Sequence, residues 1–124
     1  MGQKVALLGA SENTERYAYK AFKMLVEYGH VPVPVNPTLR QIDGVAAVAS
    51  LNEIQETVDT LCMYVNPEIS KKLQSQVLRL NPPRVIFTPG SENPALAQVL
   101  KGRGIHVIEA CTMVLLRTGQ FEKA

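Results

Sequence analysis

The stretch from Lys4 to Lys20 limits the fold more than any other. An apolar run, Lys4-Val5-Ala6-Leu7-Leu8, stops at Gly9 and passes through the polar Ala10-Ser11-Glu12-Asn13-Thr14-Glu15-Arg16. It then enters the helical pattern that begins Tyr17-Ala18-Tyr19-Lys20. Continuous apolar residues without alternation predict a central parallel strand, covered on both faces. Strand, glycine turn and helix N-terminus in succession gather backbone N–H groups in front of the positive end of a helix dipole, a geometry that suits a phosphate.

The rest of the chain repeats this alternation. Ala18, Ala21, Phe22, Leu25 and Val26 fall at helical spacing and predict a helix over Arg16–Tyr28, stopped by Gly29 as a left-handed cap. Val31-Pro32-Val33-Pro34-Val35 predicts a second strand. Its two prolines remove ladder donors, so one of its sides should be free or irregular. Residues 40–49 predict loop with one short strand, and Ser50-Leu51-Asn52-Glu53 has capping-box spacing for a short helix. Thr60 to Val65 predicts a third strand, followed by a helix capped at Asn66-Pro67 with Ile69, Leu73, Val77 and Leu80 facing inward. Arg84 to Thr88 predicts a fourth strand, Asn93-Pro94 a further helix, and Ile105 to Ile108 a fifth strand. Met113 to Arg117 predicts a closing helix, with residues 120–124 a frayed tail. The expected fold is α/β, a doubly wound, Rossmann-like, mostly parallel sheet of about five strands in the order 3-2-1-4-5, forming one domain over residues 1–124. Ligands of such sheets bind outside the carboxyl ends of the strands, at the switch point.

Several residue types near that edge bear on the chemistry. The loop lacks the later glycines of a dinucleotide fingerprint, since Ser11 and Thr14 stand in their place. The second strand ends on Asn36-Pro37 rather than on the acid that holds NAD ribose hydroxyls. A Val35-Asn36-Pro37 corner offers an apolar wall to a flat adenine, or is simple turn chemistry. Asn-Pro recurs at Asn66-Pro67 and Asn93-Pro94, always after a strand. Arg16, Lys20 and Lys23 form one basic stripe. Arg16, at the first helical turn, opposes the dipole unless an anion is bound. Arg40 lies beyond the adenine corner, where it suits a ribose phosphate. His30 is expected on the edge opposite the site and His106 inside the fifth strand. Cys62 reads as core. Cys111 reads either as a small buried hydrophobe or as a thiol facing the cleft.

Composition excludes other classes. A net charge of +2 in 124 residues offers no electrostatic footprint for nucleic acid or an anionic membrane. Two cysteines and two histidines are too few for a disulfide framework or a Cys- or His-rich metal centre. No apolar run is long enough to span a bilayer, and the first is too short for a secretory signal. The cytoplasm, with free thiols, is the expected location. No catalytic acid–base pair and no metal set is indicated by position.

Val5-Ala6-Leu7-Leu8-Gly9-Ala10-Ser11 with Arg16, Val33-Pro34-Val35-Asn36-Pro37, Ser50-Leu51 with Glu53-Ile54, and Val58-Asp59 together resemble the small stand-alone CoA-binding proteins. Their domain is similar to the N-terminal domain of the succinyl-CoA synthetase alpha subunit. The resemblance implies a Rossmann-like domain that binds coenzyme A or an acyl-CoA. By it, the loop of Gly9, Ala10 and Ser11 would meet the phosphates, with Arg16 and Lys20 alongside; Asn13, in the same loop, is a further cofactor-binding candidate. Val35, Asn36 and Pro37 would border the adenine. Tyr64, Val65, Asn66 and Pro67 would line the cleft, Pro89 and Gly90 would approach from the next strand, and Cys111 matches a cysteine common in the family's last motif. The family loop often reads Asn-Pro where this chain has Asn13-Thr14, and Tyr17 replaces a family proline. The implied role is a non-catalytic binding module, carrier or sensor. The rivals are an NADP-linked oxidoreductase and one half of a split acyl-CoA ligase. A homodimer or a ligase-type partner subunit is the corresponding assembly.

Overall fold

The computed structural model describes residues 2–124. β1 (Lys4–Leu8) leads through the loop to α1 (Tyr17–Glu27) and β2 (Val31–Val35). A small hairpin, β3 (Gln41–Ile42) and β4 (Val45–Ala46), and a 3-10 turn at Leu51–Glu53 follow. The chain continues through β5 (Thr60–Met63), α2 (Pro67–Lys72), α3 (Gln74–Leu80), β6 (Arg84–Phe87), α4 (Pro94–Gly102), β7 (His106–Glu109) and α5 (Thr112–Arg117). The five long strands form one parallel sheet, as expected of a doubly wound α/β fold.

The strand order corrects the expectation. The sheet runs β2-β1-β5-β6-β7, which is 2-1-3-4-5 among the long strands rather than 3-2-1-4-5. The prolines of β2 account for the difference. Its inner side pairs with β1, while the amide positions left for an outer neighbour are Pro32 and Pro34, which have no N–H to give. β2 is therefore an edge, and the third long strand pairs with β1 instead. Only a short irregular segment meets the outer side: Val48 N–H donates to the Pro34 carbonyl (3.0 Å), and Asn36 N–H to the Val48 carbonyl (2.9 Å). The switch point consequently lies between β1 and β5.

The pleat sorts the core into two layers. Val5 and Leu7 of β1 join Phe22, Leu25, Ile42, Ile86 and Leu116 on the α1–α5 face. Ala6 and Leu8 join Leu51, Val77, Phe87, Leu96 and Leu100 on the other. Gly29 takes the left-handed conformation after α1 (φ +85°), as a cap should. Two expected inward residues are exposed: Val26 at 48% and Ile69 at 42%. In the second case the helix breaks at Leu73 into α2 and α3, so one helical phase does not carry through. Residues 40–49 form two short strands rather than one, closed by the left-handed pair Asp43-Gly44. Ser50 makes no capping hydrogen bond, and its turn is 3-10 rather than α-helical.

The tail is docked rather than frayed. Phe121 is buried, packed against the tilted His30 ring at 4.9 Å between centroids and covered by the Arg84 guanidinium at 4.7 Å. Burial lowers the His30 pKa, in keeping with a neutral ring whose Nδ1 accepts the Gln3 N–H at 2.9 Å. This cluster lies at the amino end of the sheet, on the edge opposite β1's loop, as expected for His30. His106 opens β7 and is exposed. No helix among the described residues is long and apolar enough to cross a membrane.

Candidate functional site

The carboxyl ends of β1, β5 and β6 converge on the loop after β1. Gly9 makes that convergence possible. Its φ is +92°, and a Cβ there would lie 2.7 Å from the Tyr64 carbonyl oxygen and 2.9 Å from Val65 Cγ1. The loop is pinned from both sides. Gly9 and Ala10 N–H donate to the Val35 carbonyl at 3.1 and 3.2 Å. Asn36 Nδ2 donates to the Ala10 carbonyl at 2.7 Å, while Asn36 Oδ1 accepts from the Thr38 N–H at 2.8 Å. Asn36 thus holds the loop in place, a task that its reading as an adenine wall did not include. The Gly9 and Ala10 amides are likewise occupied, contrary to the expectation that they face a phosphate.

Other amides are open. Asn13 N–H donates to Ser11 Oγ, Glu15 N–H to Asn13 Oδ1 and Arg16 N–H to the Asn13 carbonyl, each at 3.0 Å. The N–H groups of Ser11, Glu12, Tyr17 and Ala18 find no acceptor among the described residues. Arg16 is the N-cap residue of α1, and its side chain caps nothing. An uncapped helix start with a cation beside it is electrostatically unfavourable until an anion arrives.

Above this loop lies a cleft of about 540 Å³. Eight of the expected site residues line it: Gly9, Ala10, Ser11, Asn13, Arg16, Asn36, Tyr64 and Pro89. A second cleft, of about 340 Å³, adjoins it, shares Tyr17, Tyr64 and Pro89 with it, and reaches Thr88, Cys111, Met113 and Arg117. Cys111 is therefore a half-buried thiol on a cleft wall. Cys62 is fully buried, and burial pushes its thiol up to about 11.

Eight expected residues line neither cleft, and of these Val65 packs against the core. Val35 is core, and its carbonyl is committed to the loop. Pro37 and Arg40 are exposed on the way to the hairpin. Lys20 lies over the Tyr17 ring at 5.7 Å. Asn66 caps α2 through the Ile69 N–H at 2.9 Å, with Pro67 in the first turn. Gly90 turns at φ +93° and donates its N–H to Glu92 at 2.9 Å. Conversely, Tyr17, Ala18, Thr88, Met113 and Arg117 line the clefts without having been singled out. Met113 and Arg117 are four residues apart on one helix, so they share a face. The signal was their position just after Cys111.

The chain is similar to several known proteins. Bacillus subtilis YneT is 29% identical over 106 residues, covering 86% of this chain and 78% of that protein. The alpha subunit of the ADP-forming acetate–CoA ligase II of Pyrococcus furiosus is 35% identical over 69 residues, 55% of this chain but 15% of the subunit. The chain thus corresponds to a small part of that ligase subunit. A solved Thermus thermophilus structure superposes with a TM-score of 0.89 at 32% identity, covering 97% of this chain and 91% of that one. The match to the CoA binding domain runs over residues 3–117, from the residue before β1 to the last residue of α5, and by it the chain belongs to the CoA binding domain family.

Proposed function

We propose that this chain binds coenzyme A or an acyl-CoA across the carboxyl edge of its sheet, as a binding module, carrier or sensor. The observation that carries the reading is the set of unpaired amides at Ser11, Glu12, Tyr17 and Ala18 beside Arg16, at the mouth of the larger cleft. Those donors and that cation suit a pyrophosphate. The Ser11 hydroxyl, whose oxygen already accepts from Asn13, keeps its proton to donate. The smaller cleft then receives the pantetheine arm, with its thiol toward Cys111. An expected phosphate-binding loop is retained in this reading, but its donors move from Gly9 and Ala10 to the residues after them. Two free thiols support the cytoplasm as the location.

A specific observation favours a second reading, a role beside a ligase-type partner: the 35% identity to the acetate–CoA ligase alpha subunit. The NADP reading weakens, because Arg40 lines neither cleft. Calorimetry with CoA, NADP, NAD and ATP tests the proposal. CoA is expected to saturate one site per chain and to outcompete the others. NADP binding with no CoA binding at millimolar concentration overturns it.

A further inference from the structure

Tyr64 stands where the two clefts meet, and it lines both. Its backbone is fixed. The Tyr64 N–H donates to the Leu8 carbonyl at 2.8 Å, and its own carbonyl is pressed against Gly9. Its side chain is not satisfied. The phenol oxygen is buried and has no hydrogen-bond partner among the described residues. The neighbouring Thr112 hydroxyl donates to Cys62 Sγ at 3.5 Å, and its approach to the phenol falls outside hydrogen-bond geometry. Burial also raises the Tyr64 pKa, so the group stays a protonated donor. A buried O–H without an acceptor destabilises the protein that holds it, and any state that supplies one is favoured.

We propose that Tyr64 reads the pantetheine arm: as the arm is threaded between the clefts that Tyr64 lines, the phenol donates to an amide carbonyl of that arm. The proposal rests on the CoA reading above and deepens it. Coenzyme A carries two such carbonyls between its pyrophosphate and its thiol, the stretch that must pass Tyr64 if the phosphates lie at Ser11 and Arg16. The nucleotide end of the ligand has no part in the contact. Tyr64 is thus a specificity-determining residue that separates CoA from other adenine nucleotides with similar phosphates.

The test is titration of the unmodified protein and of Tyr64→Phe with CoA and with 3′-phospho-ADP, the portion of CoA that lacks the arm. The variant is expected to bind CoA about five- to tenfold more weakly. Its affinity for 3′-phospho-ADP is expected to stay within about twofold. The free variant is expected to melt no lower than the unmodified protein, since it loses an unpaired group and no bond. Equal weakening of both ligands, an unchanged CoA affinity, or a lower Tm in the free variant overturns the inference while leaving CoA binding intact. Absence of CoA binding to the unmodified protein overturns the underlying reading, and this inference with it.

Discussion

Gly9→Ala is expected to destabilise the fold by about 3 kcal/mol and to weaken CoA binding by more than about tenfold in the molecules that remain folded. Two separate costs combine. A φ of +92° is strained for any residue with a Cβ, and that Cβ would sit 2.7 Å from a backbone oxygen of the neighbouring strand's end. Backbone at Tyr64 has little room to yield, because its N–H is bonded to Leu8. Relief must come from moving the loop, which breaks the paired bonds of Gly9 and Ala10 to Val35 and tilts the mouth of the cleft. Gly90→Ala is the control. Its φ is nearly the same, +93°, yet a Cβ there meets nothing within 4 Å. It should lose only the conformational term, about 1 kcal/mol. Denaturant melts of the two variants separate strain from contact, and equal losses would contradict the steric account.

Arg84→Ala is expected to cost about 3 kcal/mol, roughly 10 °C in Tm, with CoA affinity unchanged. The side chain is 6% exposed and joins distant segments. Its Nε donates to Thr60 Oγ1 at 3.0 Å, and its Nη1 to the carbonyl of Phe121 and the Ala124 oxygen, the latter at 2.9 Å. Nη2 donates to Gln3 Oε1 at 3.2 Å, and the guanidinium covers the Phe121 ring. Removing it orphans several acceptors and frees the tail. The effect should appear as lower Tm and faster proteolysis after Arg117. Because the cluster lies at the opposite end of the strands from the clefts, binding should not follow stability. A CoA affinity that falls in proportion would show that the two edges are coupled, contrary to this account.

These two residues mark what the sequence made legible and what it hid. Gly9 is readable because its consequence is local: an apolar run, one glycine and a helix start leave a single reasonable chain path. The three Asn-Pro corners are readable for the same reason, since each Asn bonds to backbone at that edge. Arg84 is opaque, because its partners lie 24 to 81 residues away and nothing in its neighbourhood announces them. The sheet order falls between. Pro32 and Pro34 carried the information that β2 is an edge, yet a conventional Rossmann order placed a strand on each side of it. The Asp43-Gly44 turn was a hairpin signal between strands too short to show alternation. At the candidate site, spacing pointed to the loop and to Arg16, which line the larger cleft. It missed that two of the loop's amides are consumed by Val35, because the acceptor comes from another strand.

The arrangement of donors around the loop is best tested by following backbone amides in a proton–nitrogen correlation spectrum as CoA is added. The account predicts that the Ser11, Glu12, Tyr17 and Ala18 amides shift most, that Tyr64 and Cys111 follow, and that Gly9 and Ala10, bonded to Val35, move less. Residues at the Arg84–Phe121 cluster should remain still. Shifts centred on that cluster or on the hairpin, with the α1 N-terminus unmoved at saturating CoA, would contradict it.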